Sequence, residues 1–124
     1  METKSIKHLQ QAAQALFEKK AVNILALDVQ EISELTDYIL IAEGSVDRHV
    51  TAMAHDLIDV LKKEGEKPVY VEGLETGDWI VIDYLDYMVH LFMPGLRDKY
   101  RLEELFQEGK IVDLKIDLGS QHSQ

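Results

Sequence analysis

The sequence predicts one layered α/β domain, a mixed sheet of about five strands flanked by helices. Stretches with apolar residues at helical spacing alternate with short apolar runs rich in β-branched and aromatic residues, which read as strands. Two of those runs, around Ile80 and Val89, are separated by a break too short for a crossover, so they form an antiparallel hairpin inside the sheet. The 124 residues, 46% of them apolar, suffice for one domain with a real core.

Residues 3 to 20 read as a helix, because Ile6, Leu9, Ala13, Leu16 and Phe17 share one stripe, and Lys19 and Lys20 suit its C-terminal dipole. Val22 to Val29 is a strand, and Ser33, Thr36 and Asp37 mark a turn. Tyr38 to Ala42 is apolar on both faces and belongs in the middle of a covered sheet. Gly44 and Ser45 lead into a second helix, with Ser45 as N-cap and Asp47 in the first turn. Its buried stripe is Val46, Val50, Met53, Ala54, Leu57, Ile58 and Leu61; Lys62, Lys63 and Gly65 close it. Pro68 starts a strand over Val69 to Glu72 that stops at Gly73. After the hairpin, Pro94-Gly95 ends the last strand, and a third helix is expected from Asp98 to Glu108. Ile111, Val112, Leu114 and Ile116 either add a short strand or pack irregularly. The domain is expected to span 1–112, with 113–124 a loosely ordered extension.

Register decides what the hairpin shows. A two-residue loop at Leu85-Asp86 pairs Ile82 with Val89 and Ile80 with Leu91. One face then carries Ile80, Ile82, Tyr84, Tyr87, Val89 and Leu91, which is core material. The other carries Trp79, Val81, Asp83, Met88, His90 and Phe92. A four-residue loop keeps this sorting and a three-residue loop scrambles it. Leu85 suits the positive φ of a tight turn poorly, so the loop type stays open.

Acidic residues outnumber basic ones 23 to 13, for a net charge of -10. This argues against generic nucleic-acid binding, which needs Lys and Arg to displace counterions, and suits a basic partner or plain solubility. The absence of cysteine excludes disulfide and thiol chemistry and is compatible with a reducing cytosol. No signal segment or membrane-length apolar run is legible, so a cytoplasmic location is expected.

No catalytic constellation emerges. The histidines His8, His49, His55, His90 and His122 offer no His-x-x-x-His or His-x-His pair, so neither a metal nor another cofactor is expected. Ser45 lacks the second flanking glycine of a nucleophile elbow. The rival reading is a nucleotide-binding or nucleotidyl-transferring enzyme, with Gly44-Ser45 cradling phosphate at a helix N-terminus and Asp83 or Asp86 holding metal. The strand Val69 to Glu72 lacks the Asp-x-Asp that such enzymes use. Asp83 is either a solvated or His90-paired carboxylate, or an acceptor for a partner's Arg or Lys. Trp79, opposite Phe92, is either covered by a helix or an interface anchor.

At these residues the chain resembles the Iojap/RsfS family, the ribosomal silencing factors. The matching blocks are Ala26-Leu27-Asp28-Val29; Thr36-Asp37-Tyr38 with Gly44-Ser45 and Arg48-His49-Val50; Glu72-Gly73; Asp78-Trp79-Ile80-Val81 with Asp83; Asp86 with Val89-His90; and Tyr100, Leu102-Glu103 and Leu105. The resemblance implies a nucleotidyltransferase-like fold without transferase activity. It implies binding to the large ribosomal subunit through ribosomal protein number fourteen, a steric block to subunit joining, and repression of translation. It implies a homodimer when free, with organelle relatives assisting large-subunit assembly. The contact residues it implies are Trp79, Val81 and Asp83, with Asp86 and His90 nearby. Two positions depart from the pattern: Leu85 stands where the family often has glycine, and Phe106 where it often has tryptophan.

Overall fold

The computed structural model describes residues 3–96 and 108–119. Its sheet is mixed and six-stranded, in the order β3-β4-β5-β2-β1-β6. The chain runs α1 (Lys4–Glu18), β1 (Val22–Asp28), β2 (Tyr38–Glu43), α2 (Asp47–Lys62), β3 (Tyr70–Glu72), β4 (Trp79–Asp83), β5 (Tyr87–Phe92) and β6 (Lys110–Ile111). The third helix expected from Asp98 to Glu108 falls outside the described residues, except for Glu108, which sits in a turn.

Thr3 starts α1, its Oγ1 accepting the Ile6 N–H at 3.1 Å. The helix closes without glycine: Lys20 takes φ +70° and lets the Ala21 N–H reach the Leu16 carbonyl at 2.9 Å. α1 and α2 lie on one face of the sheet. Leu9, Ala13 and Leu16 of α1 and Val50, Met53, Leu57 and Leu61 of α2 meet Leu40, Ile80, Ile82, Val89 and Leu91 of the strands. Burying such a side chain contributes about 1.5–3 kcal/mol, so this layer is the main store of stability. A smaller cluster of Leu27, Val29, Ile39, Ile41 and Phe92 occupies the second face, with Leu25, Trp79 and Leu96 against it. The strand 38–43 is central and buried on both faces, as its unbroken apolar run requires.

Two expectations at the start of α2 are corrected. The N-cap is Val46, not Ser45, and it makes no side-chain cap. Side chains within the first turn explain the shift: His49 Nδ1 reaches back to accept the Ser45 N–H at 2.8 Å, and Asp47 Oδ1 accepts the Arg48 N–H at 2.7 Å, the amide that a capping hydroxyl would otherwise take. Val46 is accordingly exposed and leaves the buried stripe, whereas Val50, Met53, Ala54, Leu57 and Leu61 remain in it. Gly65, at φ +83°, ends the helix, with the Glu66 N–H returning to the Leu61 carbonyl.

Both alternatives for the segment around Ile111 are realised. Lys110–Ile111 pairs with β1, and the chain then runs irregularly beside α1. The Gln14 side-chain amide binds the Asp117 backbone both ways, donating to the carbonyl at 3.0 Å and accepting the N–H at 2.7 Å. Leu114 is buried in the main core. Of the extension expected to be loose, residues 113–119 therefore lie along α1, and 120–124 fall outside the described residues.

The connection from β3 to β4 has no room for a side chain at its first residue. Gly73 has φ +91°, and a Cβ there would overlap the Trp79 carbonyl oxygen. Gly73→Ala should cost about 3 kcal/mol, combining left-handed strain with overpacking against backbone that cannot yield. Urea unfolding monitored by circular dichroism checks this.

Candidate functional site

The hairpin has the register read from sequence: Trp79 pairs with Phe92, Ile80 with Leu91, Val81 with His90, Ile82 with Val89 and Asp83 with Met88. Ile80, Ile82, Tyr84, Tyr87, Val89 and Leu91 are all buried under the helices. The mixed residues therefore lie on the second face, and cross-strand pairing extends them into rows. One row runs Leu27, Ile39, Met88, Asp83, Tyr70; its neighbour runs Leu25, Ile41, His90, Val81, Glu72. Each row passes from buried or partly buried aliphatic residues on β1 and β2 to partly or fully exposed residues on β4 and β3, ending in Tyr70 and Glu72.

Trp79 stands between its two open readings. It is half-buried, packed against Phe92 with ring centroids 5.1 Å apart and the planes tilted by 30°, and its Nε1–H donates to His90 Nδ1 at 3.2 Å. Val81 and Asp83 are half-buried, and Asp86 is exposed. Asp83 does turn chemistry, its Oδ1 accepting the Leu85 N–H at 2.7 Å. Asp86 anchors the sheet through its backbone, its carbonyl accepting the Asp37 and Tyr38 N–H groups at 3.0 and 3.2 Å. The five residues share one face and one turn, although His90 is only 8% exposed and so supports the others from below.

Tyr70 and Glu72 belong to the same surface and were missed. Tyr70 is 54% exposed, and its hydroxyl donates to Glu72 Oε1 at 3.0 Å. Alternation along Val69 to Glu72 puts them on one face; only strand pairing reveals that this face continues Asp83 and Val81.

The turn is tight. The Tyr84 N–H bonds the Tyr87 carbonyl at 2.9 Å, and the Asp86 N–H returns to the Tyr84 carbonyl at 3.0 Å. Leu85, at φ +78°, is therefore the centre of a γ-turn, a strained conformation for a side chain that is itself 64% exposed. Leu85→Gly should raise stability by about 1 kcal/mol, since nothing packed is lost and the left-handed strain is relieved. A rise in the urea midpoint at unchanged slope is the expected reading.

His90 is held neutral. Burial pushes its pKa down from 6.5 to about 4, against the opposing pull of the Asp83 carboxylate. The Trp79 bond has the same sense, because it requires a lone pair on Nδ1. The unfolded chain takes up this proton near pH 6.5 and the folded one only near pH 4, so this group's contribution to stability is lost as pH falls through that window. Between pH 6.5 and 5 the loss should be about 2 kcal/mol. His90→Gln, which keeps an acceptor for the indole, should flatten that part of the curve.

The rival phosphate cradle is occupied by the protein's own groups. Both the N–H and Oγ of Ser45 lie against His49 Nδ1, at 2.8 and 3.1 Å, and His49 Nε2 meets the Lys19 carbonyl at 2.6 Å. Since Nδ1 accepts the Ser45 amide, Nε2 carries the proton and donates to Lys19. Gly44 is wedged against Val50 and Met53. Among the described residues, no three His, Asp or Glu side chains converge as a metal would need, and no helix is long and apolar enough to cross a membrane.

The chain is a layered α/β domain with one face closed by helices and a second face that grades towards partly exposed acidic and aromatic residues. Comparison with known proteins gives its family. The family model described as "ribosomal silencing factor during starvation" matches residues 2–124. Ribosomal silencing factor RsfS of Bacillus subtilis is 38% identical over 119 residues, covering 96% of this chain and 99% of that protein. A mouse protein named mitochondrial assembly of ribosomal large subunit protein 1 is 33% identical over 94 residues, 73% of this chain and 41% of its own. The crystal structure of a Chromobacterium violaceum protein superposes with a TM-score of 0.79 at 32% identity, covering 94% of this chain and 95% of that one. The chain belongs to the ribosomal silencing factor family.

Proposed function

We propose that this protein binds the large ribosomal subunit through ribosomal protein number fourteen, blocks small-subunit joining and so represses translation in the cytoplasm, catalysing nothing. The observation that carries this reading is the half-open strip where Trp79 and Val81 stand among Asp83, Glu72 and Tyr70. An aromatic anchor ringed by carboxylates fits a basic protein surface. Family membership, the name of the mouse relative and the net charge of -10 support the same partner. Asp86 and the remaining oxygen of Asp83 accept basic side chains from that partner, while His90 fixes the indole. When no ribosome is available, the protein is a homodimer.

Trp79→Ala should weaken cosedimentation with purified large subunits roughly thirtyfold, the loss of about 2 kcal/mol expected for a hot-spot anchor. The indole also packs inside the protein, so the exposed Asp86→Lys gives an independent reading, expected at about tenfold with the fold intact. Wild-type cosedimentation by both variants sinks the assignment.

A further inference from the structure

Two contacts show that α1 and α2 pack antiparallel. The Lys19 carbonyl at the end of α1 meets His49 at the start of α2, and His8 Nδ1 near the start of α1 lies 3.5 Å from Glu66 Oε1, just past the end of α2. The second contact collects cations. Lys4 and Lys7 stand within a turn of His8, and Lys62, Lys63 and Lys67 flank Glu66 in the chain. All five are exposed, and among the described residues their side-chain amines make no ion pair or hydrogen bond. They are five of the 13 Lys and Arg in a chain of net charge -10. The nearby carboxylates are Asp59, Glu64 and Glu66, with Asp86 close to Tyr87 at the hairpin turn and Glu2 two residues before Lys4 in the chain; Glu66 already accepts the Tyr87 hydroxyl at 2.8 Å beside His8. α1 has no acidic residue in its first turn, so the positive end of its dipole adds to the lysines.

We infer that this lysine pole holds backbone phosphates of the large subunit's RNA while the Trp79 strip meets protein. The inference rests on the docking proposed above. Lysine is a mobile, strongly hydrated point charge suited to phosphate. Within segments 4–7 and 62–67 the only apolar side chain is Ile6, which packs against the core, and the exposed Val69 and Tyr70 lie beyond Lys67 towards the strip, so the lysines themselves surround no apolar anchor of the kind an acidic folded partner would need. Tyr87, at the base of the hairpin turn, reaches Glu66, so the pole adjoins the Asp83–Asp86 end of the strip. The strip and the helices lie on opposite faces of the sheet, so a ribosomal surface meets both by wrapping that end of the hairpin.

The test is the salt dependence of binding to intact large subunits by the full chain. The comparison variant carries Lys4→Gln, Lys7→Gln, Lys62→Gln, Lys63→Gln and Lys67→Gln together. Each lost phosphate contact should reduce the slope of log affinity against log salt by about 0.7–0.9, so the slope should be shallower by about three or more. Lys19→Gln with Lys20→Gln, at the other end of α1, should leave it unchanged. An unchanged slope in the five-fold variant overturns the inference while the docking reading stands, as does an equal change in the control. Equal weakening towards isolated ribosomal protein number fourteen also overturns it, because the lysines would then meet protein. Failure of the unaltered chain to bind subunits removes both.

Discussion

β2 and β5 run parallel over six positions, from Tyr38 beside Tyr87 to Glu43 beside Phe92, and the rest of the molecule hangs on this pairing. It is bolted at both ends. The Asp86 carbonyl takes the Asp37 and Tyr38 N–H groups at one end, and the Gly44 N–H takes the Phe92 carbonyl at the other. A strand buried on both faces has no water to fall back on, so each backbone group must find a partner in its neighbours. β5 supplies them on one side and β1 on the other. The same pairing sets Ile39 and Ile41 beside Met88 and His90, which makes the second face continuous rather than a feature of the hairpin alone.

That continuity divides the labour between the two faces. The helix face is closed by apolar packing and supplies stability. On the second face, Leu27, Ile39 and Ile41 of β1 and β2 are buried with Leu25 partly so, whereas β4 and the short edge strand β3 keep partial exposure. Trp79 sits where burial gives way. Phe92 and His90 satisfy its ring and its N–H, which holds the indole rigid, and a rigid anchor loses little entropy when a partner covers it.

Left-handed backbone gathers around this same region. Leu85 is held in a γ-turn, and Gly73 and Gly77 adopt positive φ where the chain crosses close to β4 and α2. The helix N-terminus at Gly44-Ser45, in contrast, is quiet. Its amide and hydroxyl are engaged by His49, so the end of α2 that would suit an anion serves to tie α2 to α1. Chemistry at that bend would first have to displace a ring held between two helices.

The first two helices, the strands and the sorting of the hairpin's faces for a two-residue turn were legible in the chain, because period and turn spacing are properties of neighbouring residues. The sequence also carried the family, through blocks spread along most of the chain. Only the tertiary structure decided that Tyr70 and Glu72 extend the Trp79 strip, that Val46 replaces Ser45 as N-cap, and that His90 is buried and neutral. Each of these depends on groups distant in the chain: β3 placed beside β4, His49 drawn towards Lys19, and β2 laid against β5. A sequence pattern records what each residue prefers, but not which remote residue will be there to meet it.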